Sequence, residues 1–177
     1  MLVIREEQEA DHQAIRDVTI AAFSDSEFGH NGEAELIDRI RQDCPVHLSL
    51  VAALDSEVVG HVMLSPARME TAAESIVGMG LAPISVRPDH QQTGVGSALL
   101  NAAFEKLTAV SCSFVVVLGH PEYYARFGFT PAEKLGIRHG FEGLPQHVFM
   151  IRKAETDTAI HSARVFYDIV FGPQHLP

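Results

Sequence analysis

The stretch FVVVLG, from Phe114 to Gly119, constrains the fold most. Its apolar residues run without a polar break and three are valines, so it predicts an extended strand with no wet face. A strand covered on both sides needs a layer above and a layer below. The segments before it supply the partners. IVGMGLAPISV (Ile76 to Val86) predicts a strand, and Gly94 to Ala109 is apolar at helical spacing. Pro83 has no N–H to give to a ladder, so a bulge or a lost pairing is expected there.

The rest of the chain fits around this unit. Leu2 to Arg5 predicts an edge strand, and a helix begins near Asp11 with Ala14, Ile15, Val18 and Ala22 on one face. Ser24 to Glu33 is a polar loop, and Ala34 to Gln42 a second helix that Pro45 ends. Leu48 to Leu54 and Val58 to Met69 flank an Asp-Ser turn and predict a hairpin. After Gly119 come a short helix ending at Gly128, a late strand at His147 to Lys153, and a C-terminal helix over 156–167. The order predicts α/β (α+β mixed sheet) architecture in one domain spanning residues 1–177.

Composition excludes several classes. A net charge of −10 argues against a nucleic-acid partner, which needs clustered Lys and Arg, and leans toward a cationic one. No apolar run approaches the ~20 residues of a membrane span, and the N-terminus turns charged too early for a signal peptide. Cys44 and Cys112 form no CxxC, and His139 and His147 stand alone, so no metal is expected. These features fit a cytoplasmic protein.

VRPDHQQTGVGSALL (Val86 to Leu100) places two glycines at a strand-to-helix junction. The first N–H groups of a helix lack internal acceptors and carry partial positive charge, so Gln91 to Ser97 forms a candidate anion cradle. A Walker A loop is excluded, because no Lys follows either glycine. A dinucleotide fingerprint is excluded too: Leu99 stands in place of its third glycine, and no acid follows about 20 residues on.

Gln91-Gln92-Thr93-Gly94-Val95-Gly96 resembles motif A of the GNAT superfamily of acetyltransferases, Q/R-x-x-G-x-G/A. YYARFGF resembles the family's LYxxxGF element, with Tyr124 four residues before Gly128 and Phe129. The element order is also the family's, and LGHPEYYARFGF with FMIRK resembles its YhbS-like branch of N-acetyltransferases. The resemblance implies a central twisted, mostly antiparallel sheet with a splay between strands 4 and 5, flanked by helices. It implies acetyl-CoA as co-substrate. The pantetheine arm is expected on the backbone of Ile84, Ser85 and Val86. The pyrophosphate is expected on the N–H groups of Gln92, Thr93, Gly94, Val95, Gly96 and Ser97, with Gln91 at the mouth. Thr93 departs from the Gly or basic residue common at its place.

The implied chemistry is direct attack of a primary amine on the thioester in a ternary complex. Tyr124 matches the family's general acid, and a phenol keeps its proton at neutral pH; Tyr123 is read as a packing aromatic. The strand GMGLAPISV holds no acid to act as base. His120 and Glu33 are the candidate bases, with a helix-start residue and a solvated first-turn carboxylate as their alternatives. Glu33 and Glu35 fall where the family walls its acceptor site. The family often forms a homodimer. A degenerate GNAT domain that binds acyl-CoA as a sensor or interaction module is the alternative function, and a longer acyl group a third reading.

Overall fold

The computed structural model describes residues 1–24, 32–141, 143–154 and 162–167. Its strands are β1 (Leu2–Glu6), β2 (Leu48–Leu54), β3 (Glu57–Glu70), β4 (Ser75–Val86), β5 (Phe114–Leu118), β6 (Thr130–Pro131), β7 (Ile137–His139), β8 (Phe149–Lys153) and β9 (Ala163–Tyr167). The helices are α1 (His12–Phe23), α2 (Glu33–Asp43), α3 (Val95–Ala109) and α4 (Pro121–Ala125). The hydrogen-bonded order is β1-β2-β3-β4-β5-β8-β6, and β9 pairs with β3 and β7. Pairs β1–β2, β2–β3, β3–β9, β5–β8 and β6–β8 are antiparallel, whereas β4–β5 and β7–β9 are parallel. The mixed, mostly antiparallel sheet is therefore as expected.

The chain gathers into two compact units. The first comprises Met1–Leu64 and Ala82–Lys106, the second Ser65–Leu81 and Leu107–Pro177, so β3 and β4 contribute to both.

Among the described residues of the first unit, β1 pairs with β2 alone, as an edge strand. Helix α1 buries Ile15, Val18 and Thr19, and α2 buries Ala34, Ile37 and Ile40. The start of α3 lies close on β3 at Gly60. A Cβ there would stand 3.0 Å from Val95 Cγ1, 3.1 Å from Leu99 Cδ1 and 3.2 Å from the Ser85 carbonyl oxygen. Glycine at this point lets the helix start settle on the strand without a side chain between them.

A buried polar node ties β1, α2, β2 and β3 together in this unit. Arg41 grips the Glu7 carboxylate with both prongs, Nε to Oε1 at 2.9 Å and Nη2 to Oε2 at 2.8 Å. The Ser49 hydroxyl donates to Glu7 Oε2 at 2.6 Å, and its oxygen lies 2.8 Å from His61 Nε2. Since Ser49 spends its proton on Glu7, His61 must be protonated on Nε2 and donate to Ser49. Burial alone would raise the Glu7 pKa, but the bonds from Arg41, His61 and Ser49 outweigh it and hold the carboxyl far below its usual range. Burial pushes fully buried His61 down, against the pull of Glu7.

Acid is therefore expected to destabilise the fold. Glu7 titrates lower when folded, so its contribution is complete above the unfolded value of about 4.3 and fades as pH falls below it. The folded His61 pKa lies below about 6.5, so its contribution is complete above that value and is also lost as pH falls. Thermal melts taken from about pH 7 down to about pH 4 should show Tm falling throughout. A Tm that rises on acidification would contradict the node.

In the second unit β5 is buried along Phe114, Val115, Val116 and Val117, which bears out a strand covered on both sides. Parallel pairing of β4 with β5 joins Met79, Gly80 and Leu81 to Val115, Val116 and Val117. It ends at Leu81, next to the cis peptide Ala82–Pro83, and β4 runs on to Val86. This is the lost pairing expected at Pro83.

One reading changes. The C-terminal helix expected over 156–167 is not formed at its end: Ala163–Tyr167 is β9, antiparallel to β3 and parallel to β7. Ala163, Val165 and Tyr167 alternate into one core cluster with Met69, Ile137 and Phe149, which suits a strand period of two. Residues 156–161 of that expectation lie outside the described residues, as do residues 25–31 of the polar loop after α1. The segment after Phe129 contains β6, a 3-10 turn over Ala132–Leu135 and β7.

Candidate active site

The junction of β4 and α3 is built in the first unit. Val86 ends β4, and a 3-10 turn over Pro88–His90 carries the chain to the loop at Gln91. Gln92 has φ of 60° and Gly94 has φ of 94°, both in the left-handed region. At Gly94 a Cβ would meet nothing within 4 Å, so conformation and not crowding calls for glycine. The hydroxyl of Thr93 donates to the His90 carbonyl at 2.6 Å, and the Gln91 side-chain amide donates to the Val86 carbonyl at 3.1 Å. The departure at Thr93 thus serves to fasten the loop onto the preceding turn.

Helix α3 takes up its own bonding at Ala98, whose N–H reaches the Gly94 carbonyl at 2.9 Å. The N–H groups of Val95, Gly96 and Ser97 precede the first carbonyl that an α-helix offers. Residues 91–94 are exposed. The loop therefore presents open backbone donors at the positive end of a helix of 15 residues, a fit for a phosphate-bearing ligand.

Ile84 and Val86 are partly exposed while Ser85 is buried between them. The Ser85 hydroxyl lies 3.1 Å from the hydroxyl of Thr19 on α1. Thr19 also borders a cavity of about 260 Å³ with Ile20, Phe23, Ser24, Glu33, Ala34 and Glu35. Arg16 pairs with Glu35 and, at 3.0 Å, with Asp38. A backbone N–H bond and the Arg16 guanidinium hold the Glu35 carboxyl below the usual range. Glu33 accepts the Gly32 N–H at 3.1 Å. So Glu33 shares this unit with the cradle and the β4 end.

His120 and Tyr124 belong to the second unit. The His120 carbonyl accepts the Tyr123 and Tyr124 N–H groups at 3.1 and 3.2 Å and opens α4, while its side chain is exposed. Tyr124 is buried, its ring edge-on to Tyr123 at 5.0 Å and to Phe129 at 5.6 Å. Burial pushes its phenol above the ordinary value, with Tyr123 adding to the rise, so it holds its proton through the neutral range. Tyr123 is less buried and carries the Arg126 guanidinium 4.7 Å above its ring. Among the described residues no His, Cys, Asp and Glu cluster has the makings of a metal site.

Residues 3–132, which carry the cradle, Glu33 and Tyr124, match the acetyltransferase (GNAT) domain family. The chain belongs to the GNAT family of acetyltransferases. Among its GNAT relatives is the uncharacterized N-acetyltransferase YjhQ of Escherichia coli strain K12, 36% identical over 124 residues. That match takes in 69% of this chain and 66% of YjhQ, just under two thirds of the relative's length. The uncharacterized N-acetyltransferase YhbS of the same strain is 30% identical over 131 residues, 73% of this chain and 77% of YhbS. The solved structure of YhbS from Escherichia coli with CoA superposes with a TM-score of 0.82 at 27% identity, covering 96% of this chain and 91% of that one. A GNAT acetyltransferase from Brucella melitensis in complex with acetyl-CoA gives a TM-score of 0.78 at 29% identity, covering 97% and 99%. The GNAT fold expected from the sequence is thus the fold observed.

Sequence reading missed Thr19 and Gly60. Thr19 gave no signal of its own, because its hydroxyl partner lies on β4, far along the chain. Gly60 gave no local signal, because what it accommodates comes from α3, far along the chain.

Proposed function

We propose that this chain moves an acetyl group from acetyl-CoA to a primary amine by direct attack in a ternary complex. The observation that carries this is the open cradle at the start of α3, directly after a β4 end that has run past its pairing with β5. In this reading the N–H groups of Gln92 to Ser97 hold the pyrophosphate, and the backbone of Ile84, Ser85 and Val86 holds the pantetheine arm. Gln91 stands between the two, bonded to Val86. The relatives solved with acetyl-CoA and with CoA support the same ligand here. The reaction is placed in the cytoplasm, on a small-molecule or peptide amine.

The amine must be neutral to attack. Its nitrogen bonds to the thioester carbon, the tetrahedral intermediate collapses, and the C–S bond breaks as the Tyr124 phenol gives its proton to the departing sulfur. The surplus proton of the new amide passes to Glu33. Glu33 is preferred to His120 because it borders a cavity walled by α1 and α2, and that cavity is read as the acceptor site. Ile20, Phe23 and Ala34 line it with apolar surface, so the acceptor carries an apolar body beside its amine.

Gly94→Val tests the cradle. Valine brings strain at a φ of 94° and a side chain into space now open over the loop. Acetyl-CoA affinity by calorimetry should fall at least about tenfold, ~1.4 kcal/mol. An unchanged affinity would remove the cradle from the binding site.

A further inference from the structure

We infer that the Thr19–Ser85 hydroxyl pair positions the acceptor wall against the acyl-bearing strand and so sets the approach of the amine. The inference rests on the reading above, in which β4 carries the pantetheine arm and the α1–α2 cavity takes the acceptor.

The pair is placed where those two functions meet. Thr19 sits on α1, one residue before Ile20 and one turn before Phe23, both of which wall the cavity. Ser85 is the central residue of the β4 stretch Ile84 to Val86. Their hydroxyl oxygens lie 3.1 Å apart, and the two residues are 0% and 2% exposed. Both side chains are shut off from bulk water, so the pair acts through the elements it joins.

Packing alone does not ask for two hydroxyls here. The neighbours of Thr19 on the buried face of α1 are Ile15 and Val18. A valine at 19 and an alanine at 85 would fill nearly the same volume without burying polar groups. Threonine is also a weaker choice than alanine or leucine inside a helix. What the hydroxyl pair adds is direction. A hydrogen bond fixes the distance and angle between α1 and β4, whereas apolar contact lets one slide along the other. In a two-substrate transfer that setting matters, because a misplacement of about 1 Å can cost about a hundredfold in rate.

Three variants separate positioning from stability: Thr19→Val, Thr19→Ser, and Thr19→Val with Ser85→Ala. Release of free thiol from acetyl-CoA is followed against an amine that the wild type acetylates, together with Tm and acetyl-CoA affinity. Thr19→Val strands the buried Ser85 hydroxyl, so Tm should drop by about 3 °C or more. Its kcat/KM for the amine should fall at least about tenfold, while acetyl-CoA affinity moves less than about threefold. The double variant removes both hydroxyls, so Tm should return toward the wild type while kcat/KM stays at least about tenfold low. Thr19→Ser keeps the bond and should keep kcat/KM within about threefold.

A double variant that regains both Tm and kcat/KM would overturn the pair's role and leave the transfer reading intact. A Thr19→Ser protein as slow as Thr19→Val would overturn it as well. A wild-type protein that binds acetyl-CoA and acetylates no amine in a broad panel would overturn the transfer reading, and the pair's role with it.

Discussion

Tyr124→Phe is expected to lower kcat at least about a hundredfold, with acetyl-CoA affinity and Tm nearly unchanged. Tyr124 is buried in the second unit, packed edge-on against Tyr123 and Phe129, and phenylalanine keeps both contacts. What the substitution removes is the proton. Burial keeps that proton on the phenol well past neutral pH, as the proposed role of proton donor requires. A positioned general acid contributes about 10² to 10⁴ in rate, or about 3–5 kcal/mol of barrier. Tyr123→Phe is the control. Its ring is held by the Arg126 guanidinium and by Phe127, and its loss of a hydroxyl should cost less than about threefold. Equal, mild effects would make Tyr124 a packing residue and leave the sulfur's proton to water. A severe Tyr123→Phe would shift the YYARFGF alignment by one residue.

The largest effect on stability is expected at Arg41. Arg41→Ala should cost about 3–5 kcal/mol near pH 7, because it leaves the Glu7 carboxylate buried without its guanidinium. Both side chains are only 12% exposed, so solvent gives the stranded charge little relief. The pH dependence tells this cause from lost packing. Without Arg41 the Glu7 pKa rises, Glu7 takes up a proton at higher pH, and the deficit against wild type shrinks as pH falls. Arg41→Met with Glu7→Leu should recover much of the loss, as apolar replacement of a buried pair commonly does. Denaturant melts showing a cost below about 1 kcal/mol would class the pair with exposed ion pairs and contradict the node.

Much of this architecture can be read locally. Phe114 to Gly119 announced a doubly covered strand because apolar residues occupy both faces of its period. Gln91 to Ser97 announced the helix start because glycines at a strand–helix junction have a conformational purpose, which φ at Gly94 makes concrete. The end of the chain misled because Thr156 to Tyr167 shows apolar residues at spacings that a helix also satisfies. The alternation of Ala163, Val165 and Tyr167 acquires meaning only when β3 and β7 lie on either side. The polar node was hidden for a similar reason. Glu7, Arg41, Ser49 and His61 are far apart in sequence and look like ordinary surface residues until the edge strand pairs. Of the candidate site, the loop at Gln91 to Ser97 and the YYARFGF element could be picked out from their motifs. The hydroxyl pair at Thr19 and Ser85 was not, because one hydroxyl on a helix and one on a strand signal nothing until they meet.

The activity proposed for this chain is acetylation of an amine from acetyl-CoA. Its most direct test is the release of free thiol from acetyl-CoA by the purified protein across a panel of amines with and without apolar side chains, with mass detection of the acetylated product. Thiol release that depends on the amine is expected, with a matching gain of one acetyl group on the acceptor, both reduced at least about a hundredfold by Tyr124→Phe. Tight acetyl-CoA binding with no acetylated product from any amine would contradict it and make the protein a ligand-binding module.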